Sequence, residues 1–494
     1  MSLASLFLIA VGFAVSALLG YFVTTFLVPP KSARALAWAF APAVGAGASS
    51  LIFFVFRRPI FTVEIALLTL FALGFLARSM LFREPAPPIS WRLSLFGLVL
   101  SGAVALAVYG LLLRADRMPH GDWDAWAIWN THARFLYRGG RTWSDGIPYT
   151  WDAWAIWNTH ARFLHRGGRT WSDGIPYTVH GDYPLLTPSL TARLWRYAGE
   201  EAPEAGALLG IMFALSGVAV LLATLSQLRD IQLALLMALV LIGTPYYLER
   251  GVSQYADVPL AVFTISTIAL ICLHLEREPD RFGPLVLAGF TAGCAGWTKN
   301  EGLLFILATC IVLLLPVFRN PAVTFRRFAA FSLGLLLPLA VISYFKLAIA
   351  PPYDLIEDLR YQETIQRITS IDRHAVILKS LARSAWFFGA WAMQPIIPLF
   401  ALIALRGAGR RVFRSQGGFA GLLILGIVLA GYYAVYLITP IPLQVHLDSS
   451  LNRLLIHLWP SFLLVLSLMA RSKSLSGSCS DTPGEGGQRE FNSC

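Results

Sequence analysis

The residues of this chain best suited to chemistry fall into four short stretches. The first is Asp122-Trp-Asp124-Ala-Trp126, two carboxylates one residue apart in an aromatic segment. Such a pair can supply a general base and an orienting partner when one member reaches the proton to be moved. Its plainer reading is that one Asp caps the helix that follows. The second stretch runs from Tyr246 through Arg250 to Asp257-Val-Pro259, and Asp257 too reads either as a reactive carboxylate or as a cap. The third is Trp297-Thr-Lys299-Asn-Glu301-Gly302, where Lys299 and Glu301 are a ligand-contacting pair or an ordinary surface ion pair, worth little. The fourth, His446 to Arg453, ends on an arginine whose planar fork suits phosphate and whose alternative is to snorkel to the membrane interface. Tyr183, within Gly181-Asp-Tyr-Pro, completes the set as a candidate ligand contact, as Trp126 does in the first stretch. His120, His180 and His446 have no spacing that favours metal ligation over an interfacial role. No cofactor is implied with certainty, and a divalent metal stays open.

The elements that must position these residues are apolar. The 494 residues are 56% hydrophobic and 14% charged, with a net charge of +11. The mean hydropathy of +0.62 excludes an ordinary soluble domain. Apolar runs near twenty residues long, separated by short basic loops, predict an all-α polytopic membrane protein. About thirteen spans are expected, at 4–27, 35–56, 60–82, 93–113, 204–225, 231–247, 257–275, 284–298, 302–318, 328–350, 384–405, 418–438 and 452–470. The runs at 231–247 and 284–298 are short, and either could be a tilted or partly re-entrant helix; the first three helices offer almost no polar group. The positive charge sits in loops such as 406–414, with four arginines, as the positive-inside rule requires, so nucleic acid is not the expected partner. That rule places the N-terminus and the long loop 114–203 outside and the C-terminus inside. All four chemical stretches, and the polar loop 351–380, then fall on the extracytoplasmic face.

Loop 114–203 carries a tandem duplication: 123–150 recurs at 151–178 with Tyr137 replaced by His165 as the single change. The first copy is preceded by Asp122, whereas the second is preceded by Thr150 and keeps only Asp152 of the acid pair. The first copy is therefore the better carrier of chemistry, and the second is expected to be the displaced one. Trp and Leu at three- and four-residue steps predict amphipathic helices in this loop, followed by another at Leu190–Trp195. Cys272, Cys294 and Cys310 lie in apolar runs, and no cysteine spacing suggests zinc or a disulfide framework.

Three segments in this order resemble the GT-C glycosyltransferases. DWDAWAIWNTHARFLYRGG with YPLLTPSLTARLW is similar to their first extracytoplasmic loop, TPYYLERGVSQYADVPLAVF to their second acidic loop, and GFTAGCAGWTKNEGLLF to a following Gly- and Lys-bearing segment. A weaker match falls at LNRLLIHLWP, and the whole covers about 93–320. The resemblance extends to bacterial lipopolysaccharide and aminoarabinose-type sugar transferases and to protein O-mannosyltransferases. It implies inverting transfer of a sugar from a polyprenyl-phosphate donor to a glycolipid, glycan or protein acceptor, at the outer face of the cell (inner) membrane. Carried over, the catalytic acids fall on Asp122 or Asp124 and on Asp257. Lys299 and Arg453 would contact donor phosphate, with Glu301, Arg250, Tyr183 and Trp126 lining the substrate. The chain departs from the family in three respects: three extra leading helices, the duplication, and no large C-terminal periplasmic domain.

The expected organisation is thus 1–92, N-terminal helices; 93–350, a GT-C-like module; 351–470, C-terminal helices; and 471–494, a disordered cytoplasmic tail. The rival readings are a polytopic transporter and a non-catalytic membrane glycan-assembly protein. A transporter predicts charges deep inside helices and internal symmetry, and the one repeat here lies in a loop.

Overall fold

The computed structural model describes residues 2–28, 33–56, 59–81, 95–117, 181–202, 204–352, 361–391 and 415–469, together with 172 and 175. Among them there is no strand. In chain order the helices are α1 (Leu3–Leu27), α2 (Ala33–Phe56), α3 (Ile60–Leu81), α4 (Leu95–Arg117), α5 (Leu186–Ala198), α6 (Glu204–Leu228), α7 (Ile231–Ile242) and α8 (Pro245–Val252). They continue as α9 (Asp257–Glu276), α10 (Gly283–Thr298), α11 (Glu301–Leu314), α12 (Pro321–Ala348), α13 (Tyr361–Thr369), α14 (Ile371–Trp386), α15 (Gln416–Ile438) and α16 (Leu443–Met469). Ten described helices are long and apolar enough to cross a membrane, or eleven if the α7–α8 pair is one broken span. The chain is a polytopic helical membrane protein.

Three of the thirteen expected spans account for the lower number. The run 231–247 is α7 and α8, bent by 61° at Gly243-Thr244, where Pro245 begins a new helix. The run 284–298 is α10, whose 16 residues reach about 24 Å, short of a bilayer core. The run 384–405 lies for the most part outside the described residues. Elsewhere α16 starts at Leu443 rather than near 452, and 351–380 contains α13 and α14 instead of loop alone.

Helix α9 is the axis of the bundle. Every residue from Asp257 to His274 is buried, against α6, α10, α15 and α16. Without a hydrophobic drive between helices in lipid, close approach depends on small residues. A Cβ on Gly289 would lie 1.8 Å from the Phe331 carbonyl oxygen, and one on Gly334 would lie 1.7 Å from that of Val286. These contacts clamp α10 to α12 backbone to backbone, and Gly20 and Gly45 do the same for α1 and α2.

Contacts between helix ends define two faces of the bundle. One gathers the ends of α4, α5, α9, α10, α12 and α16, with Arg114 on Glu249 at 3.3 Å and Lys346 on Asp182. The other holds Arg229, which meets Glu276 at 3.4 Å and donates to the Leu468 carbonyl at 2.6 Å. Both described ends of the long loop, Arg117 and Gly181, belong to the first face.

The first three helices are not as devoid of polar groups as their composition suggests. Glu64 of α3 is fully buried and receives Arg193 of α5 through Nε at 2.6 Å and Nη2 at 3.0 Å. Tyr197 donates to the same carboxylate at 2.6 Å, and Arg193 also bonds the Gly12 carbonyl. Burial pushes the Tyr197 phenol above its ordinary range, so it stays a proton donor. The amphipathic helix expected at Leu190–Trp195 is the middle of a longer buried helix, α5, of which only Arg196 and Tyr197 are partly exposed.

Candidate functional site

On the first face four elements deliver charged groups to one point. Asp257 stands at the start of α9, but its side chain caps nothing; Ala256 occupies the cap position. It is brought there by α8, which approaches α6 so closely that a Cβ on Gly210 would fall 1.8 Å from the Gly251 carbonyl. Gln254, with φ of +62°, turns the chain back into the bundle.

The Asp257 carboxylate is wholly buried and ringed by donors. Oδ1 accepts Lys299 Nζ at 2.9 Å and His457 Nε2 at 2.8 Å, and Oδ2 accepts Arg453 Nε at 2.9 Å. Because an ionised carboxylate only accepts, His457 donates through Nε2; its Nδ1 then accepts the Tyr432 hydroxyl at 3.2 Å. Three of about four lone-pair positions on Asp257 are thus used by the protein. This carboxylate holds two cations in place; it is poorly disposed to take a proton from a ligand.

Lys299 bridges from Asp257 to Glu301, 3.0 Å away. The turn that joins α10 to α11 carries both, and Gly302 makes it possible: a Cβ there would lie 2.0 Å from the Ala295 carbonyl oxygen. Between them Asn300 donates through Nδ2 to Asp182 Oδ2 at 2.6 Å. Lys346, at the end of α12, lies 3.6 Å from the same oxygen and donates to the Asp182 main-chain carbonyl. A buried second carboxylate, Asp182, therefore ties the returning end of the long loop to the Lys299–Glu301 turn.

Aromatic rings form the adjoining wall. The Arg453 guanidinium lies 4.9 Å from the Tyr255 ring centre, and Arg250 lies 4.8 Å from Tyr255 and 4.9 Å from Tyr246. Tyr183 packs on Tyr255 and Ala256. The cluster opens at this edge, where the Arg453 side chain is 28% exposed and Glu301 22%. Among the described residues three cations, Lys299, Arg453 and Arg250, stand around Asp257 and Glu301, with Glu249 also acting on Arg250.

The structure brings together Asp257, Lys299, Glu301, Arg453, Arg250 and Tyr183. Asp122, Asp124 and Trp126 lie outside the described residues, as does nearly all of the duplicated segment. The sequence reading missed His457, Asp182, Asn300, Lys346 and Tyr255. His457 had a signal: it is four residues beyond Arg453, on the same face of one helix. Starting that helix at 452 concealed the pairing. Arg453 does not snorkel; it points inward to Asp257. Nor is the Lys299–Glu301 pair a surface one, for Lys299 is only 4% exposed.

Among the described residues no group of three or more His, Cys, Asp or Glu side chains is placed to hold a metal ion. Compared with family models, curated proteins and solved structures, the chain finds no match.

Proposed function

We propose that this chain is a membrane glycosyltransferase, moving a sugar from a polyprenyl-phosphate-linked donor to a glycolipid, glycan or protein acceptor. The observation that carries the reading is the cluster of cations held beside Tyr183 and Tyr255: Lys299 and Arg453 fixed on one buried carboxylate, with Arg250 next to them. Sugar transfer from such a donor builds negative charge on the leaving phosphate, and pre-positioned cations stabilise it where little water competes. Arg453 spends Nε on Asp257, so its Nη edge is the part left to face a phosphate.

In this reading Asp257 is a positioning residue. It fixes the heads of Lys299 and Arg453 and removes the need to order them during the reaction. The base for the acceptor hydroxyl falls to Asp122 or Asp124, as the GT-C resemblance implies. Tyrosine and tryptophan rings suit sugar faces, and the apolar helix surfaces suit an isoprenoid tail. The positive-inside rule, applied to the four arginines of 406–414, supports an extracytoplasmic site, and the GT-C resemblance supports a cell (inner) membrane.

Two measurements test this. Farnesyl phosphate, a soluble donor mimic, is expected to raise the unfolding temperature of the protein in lipid nanodiscs, and Arg453→Ala to abolish the rise. Cells carrying Asp122→Asn, Asp124→Asn, Asp152→Asn or Asp257→Asn singly are then compared for glycolipid and glycan composition. If all four retain the wild-type profile, the enzyme reading fails.

A further inference from the structure

Two oxygens in the Lys299–Glu301 turn have no role in the arrangement described above. Glu301 Oε1 is engaged by Lys299, but Oε2 is buried and has no hydrogen-bond partner among the described residues. The neighbouring Asn300 Oδ1 is in the same position. Its identity as the oxygen is fixed, because the other amide atom faces the Asp182 carboxylate at 2.6 Å and must be the NH2 group. A buried acceptor without a donor costs free energy comparable to a lost hydrogen bond, so two on adjacent residues call for an explanation.

The surroundings select the chemistry of what supplies the donors. An anion is excluded, since both atoms are themselves acceptors. A metal cation is opposed by two ammonium groups: Lys299 lies 3.0 Å from Glu301, and Lys346 lies 3.6 Å from Asp182, the residue that Asn300 holds. A neutral group bearing O–H donors meets neither objection. The turn borders the cation cluster, and Glu301 is 22% exposed although Oε2 itself is buried, so a hydroxyl meets that oxygen as the carboxyl group turns toward the opening.

We infer that Asn300 and Glu301 form a hydroxyl-recognition edge, on which a neutral sugar places two hydroxyl hydrogens. This rests on the transferase reading for its substrate class, but it names a different contact from the phosphate contact of Lys299 and Arg453. A carboxylate-accepted hydroxyl is stronger than a neutral one, so Glu301 is expected to contribute more than Asn300.

The test uses the full chain in lipid nanodiscs with a panel of methyl hexopyranosides and pentopyranosides, followed by saturation-transfer NMR. At least one glycoside is expected to bind the wild-type protein. Glu301→Gln should weaken that binding roughly tenfold, and Asn300→Ala by a smaller factor. That both variants are folded is read from their unfolding temperature without ligand, and the farnesyl phosphate stabilisation is measured in the wild type. Should Glu301→Gln fail to fold, Glu301→Asp, which keeps the charge and withdraws it by one methylene, is expected to weaken the same binding. Equal glycoside affinity in wild type and folded variants overturns the inference. So does the absence of glycoside binding with farnesyl phosphate stabilisation intact, which would leave the two oxygens to water. Glycoside binding that disappears on chelation of divalent ions overturns it too, in favour of a cation. Loss of the farnesyl phosphate effect in wild type, with glycosides still bound and dependent on Glu301, would instead sink the phosphate reading and leave this one standing.

Discussion

Two buried carboxylates, Glu64 and Asp257, have equal burial and opposite design. Glu64 faces one cation, and its remaining acceptor capacity is met by Tyr197; Arg193 in turn bonds Gly12. Charge is balanced and the site is closed. Asp257 faces Lys299 and Arg453 as well as His457, and its cations reach on to Glu301 and to an open edge. Several cations and acids are linked there, the cluster is open at one edge, and acceptors are left over. The difference separates an anchor from a site. A balanced, sealed pair can be exchanged for apolar residues of similar volume, whereas an open network of charges at a mouth has a reason to remain charged.

The sharpest way to break this comparison is mutation of the anchor. Removing one partner of the sealed pair, by Glu64→Ala or Arg193→Ala, leaves a buried charge alone and should cost about 3–5 kcal/mol. Thermal unfolding in nanodiscs measures it. Glu64→Leu combined with Arg193→Leu should recover most of that loss and retain sugar transfer. The matching experiment on the site has a different expected result. Asp257→Asn leaves Lys299 and Arg453 uncompensated and should destabilise by about 3 kcal/mol while eliminating transfer. Adding Lys299→Met should restore stability without restoring transfer. Recovery of both would make Asp257 an anchor of the Glu64 kind and erase the distinction.

A smaller effect is expected from Arg453→Lys, which keeps the charge and discards the planar fork. Transfer should fall about tenfold, roughly 1.4 kcal/mol in the barrier, with the unfolding temperature unchanged. The smallest concerns the duplication. Deleting 123–150 or 151–178 gives the same chain apart from Tyr or His at one position, and each deletion keeps Asp122 next to Trp-Asp. Since doubling the length of a loop changes its closure free energy by only about 0.6 kcal/mol, either deletion should leave transfer within about twofold of the full chain. A large loss in both would mean that the two copies have separate work.

How far the sequence foretold this arrangement depends on the kind of signal. Asp257, Lys299 and Arg453 were legible because each is a charge at the end of an apolar run, and alternating topology puts those ends on one face. The membrane class followed from run length alone. Glu64 was not legible: a single acid in a long apolar helix has no local sign of its partner, and Arg193 lies 129 residues away in a polar stretch. Asp182, Asn300 and Lys346 meet only through tertiary packing, with Lys346 joining a residue 164 positions distant. Hydropathy also misjudged the breaks. The run 231–247 was marked only by its shortness, with no place for the break at Pro245, and α16 was begun about two and a half turns late because the first turns of that helix are polar.

Gly302 carries a consequence for recognition. With its α-carbon pressed on the Ala295 carbonyl, the turn bearing Lys299, Asn300 and Glu301 has no slack with which to fold over an arriving ligand. Little ordering free energy is then lost at this edge when something binds. Ligands that reach it should differ in how long they stay rather than in how quickly they are captured, and selectivity at this end of the protein becomes a matter of residence time.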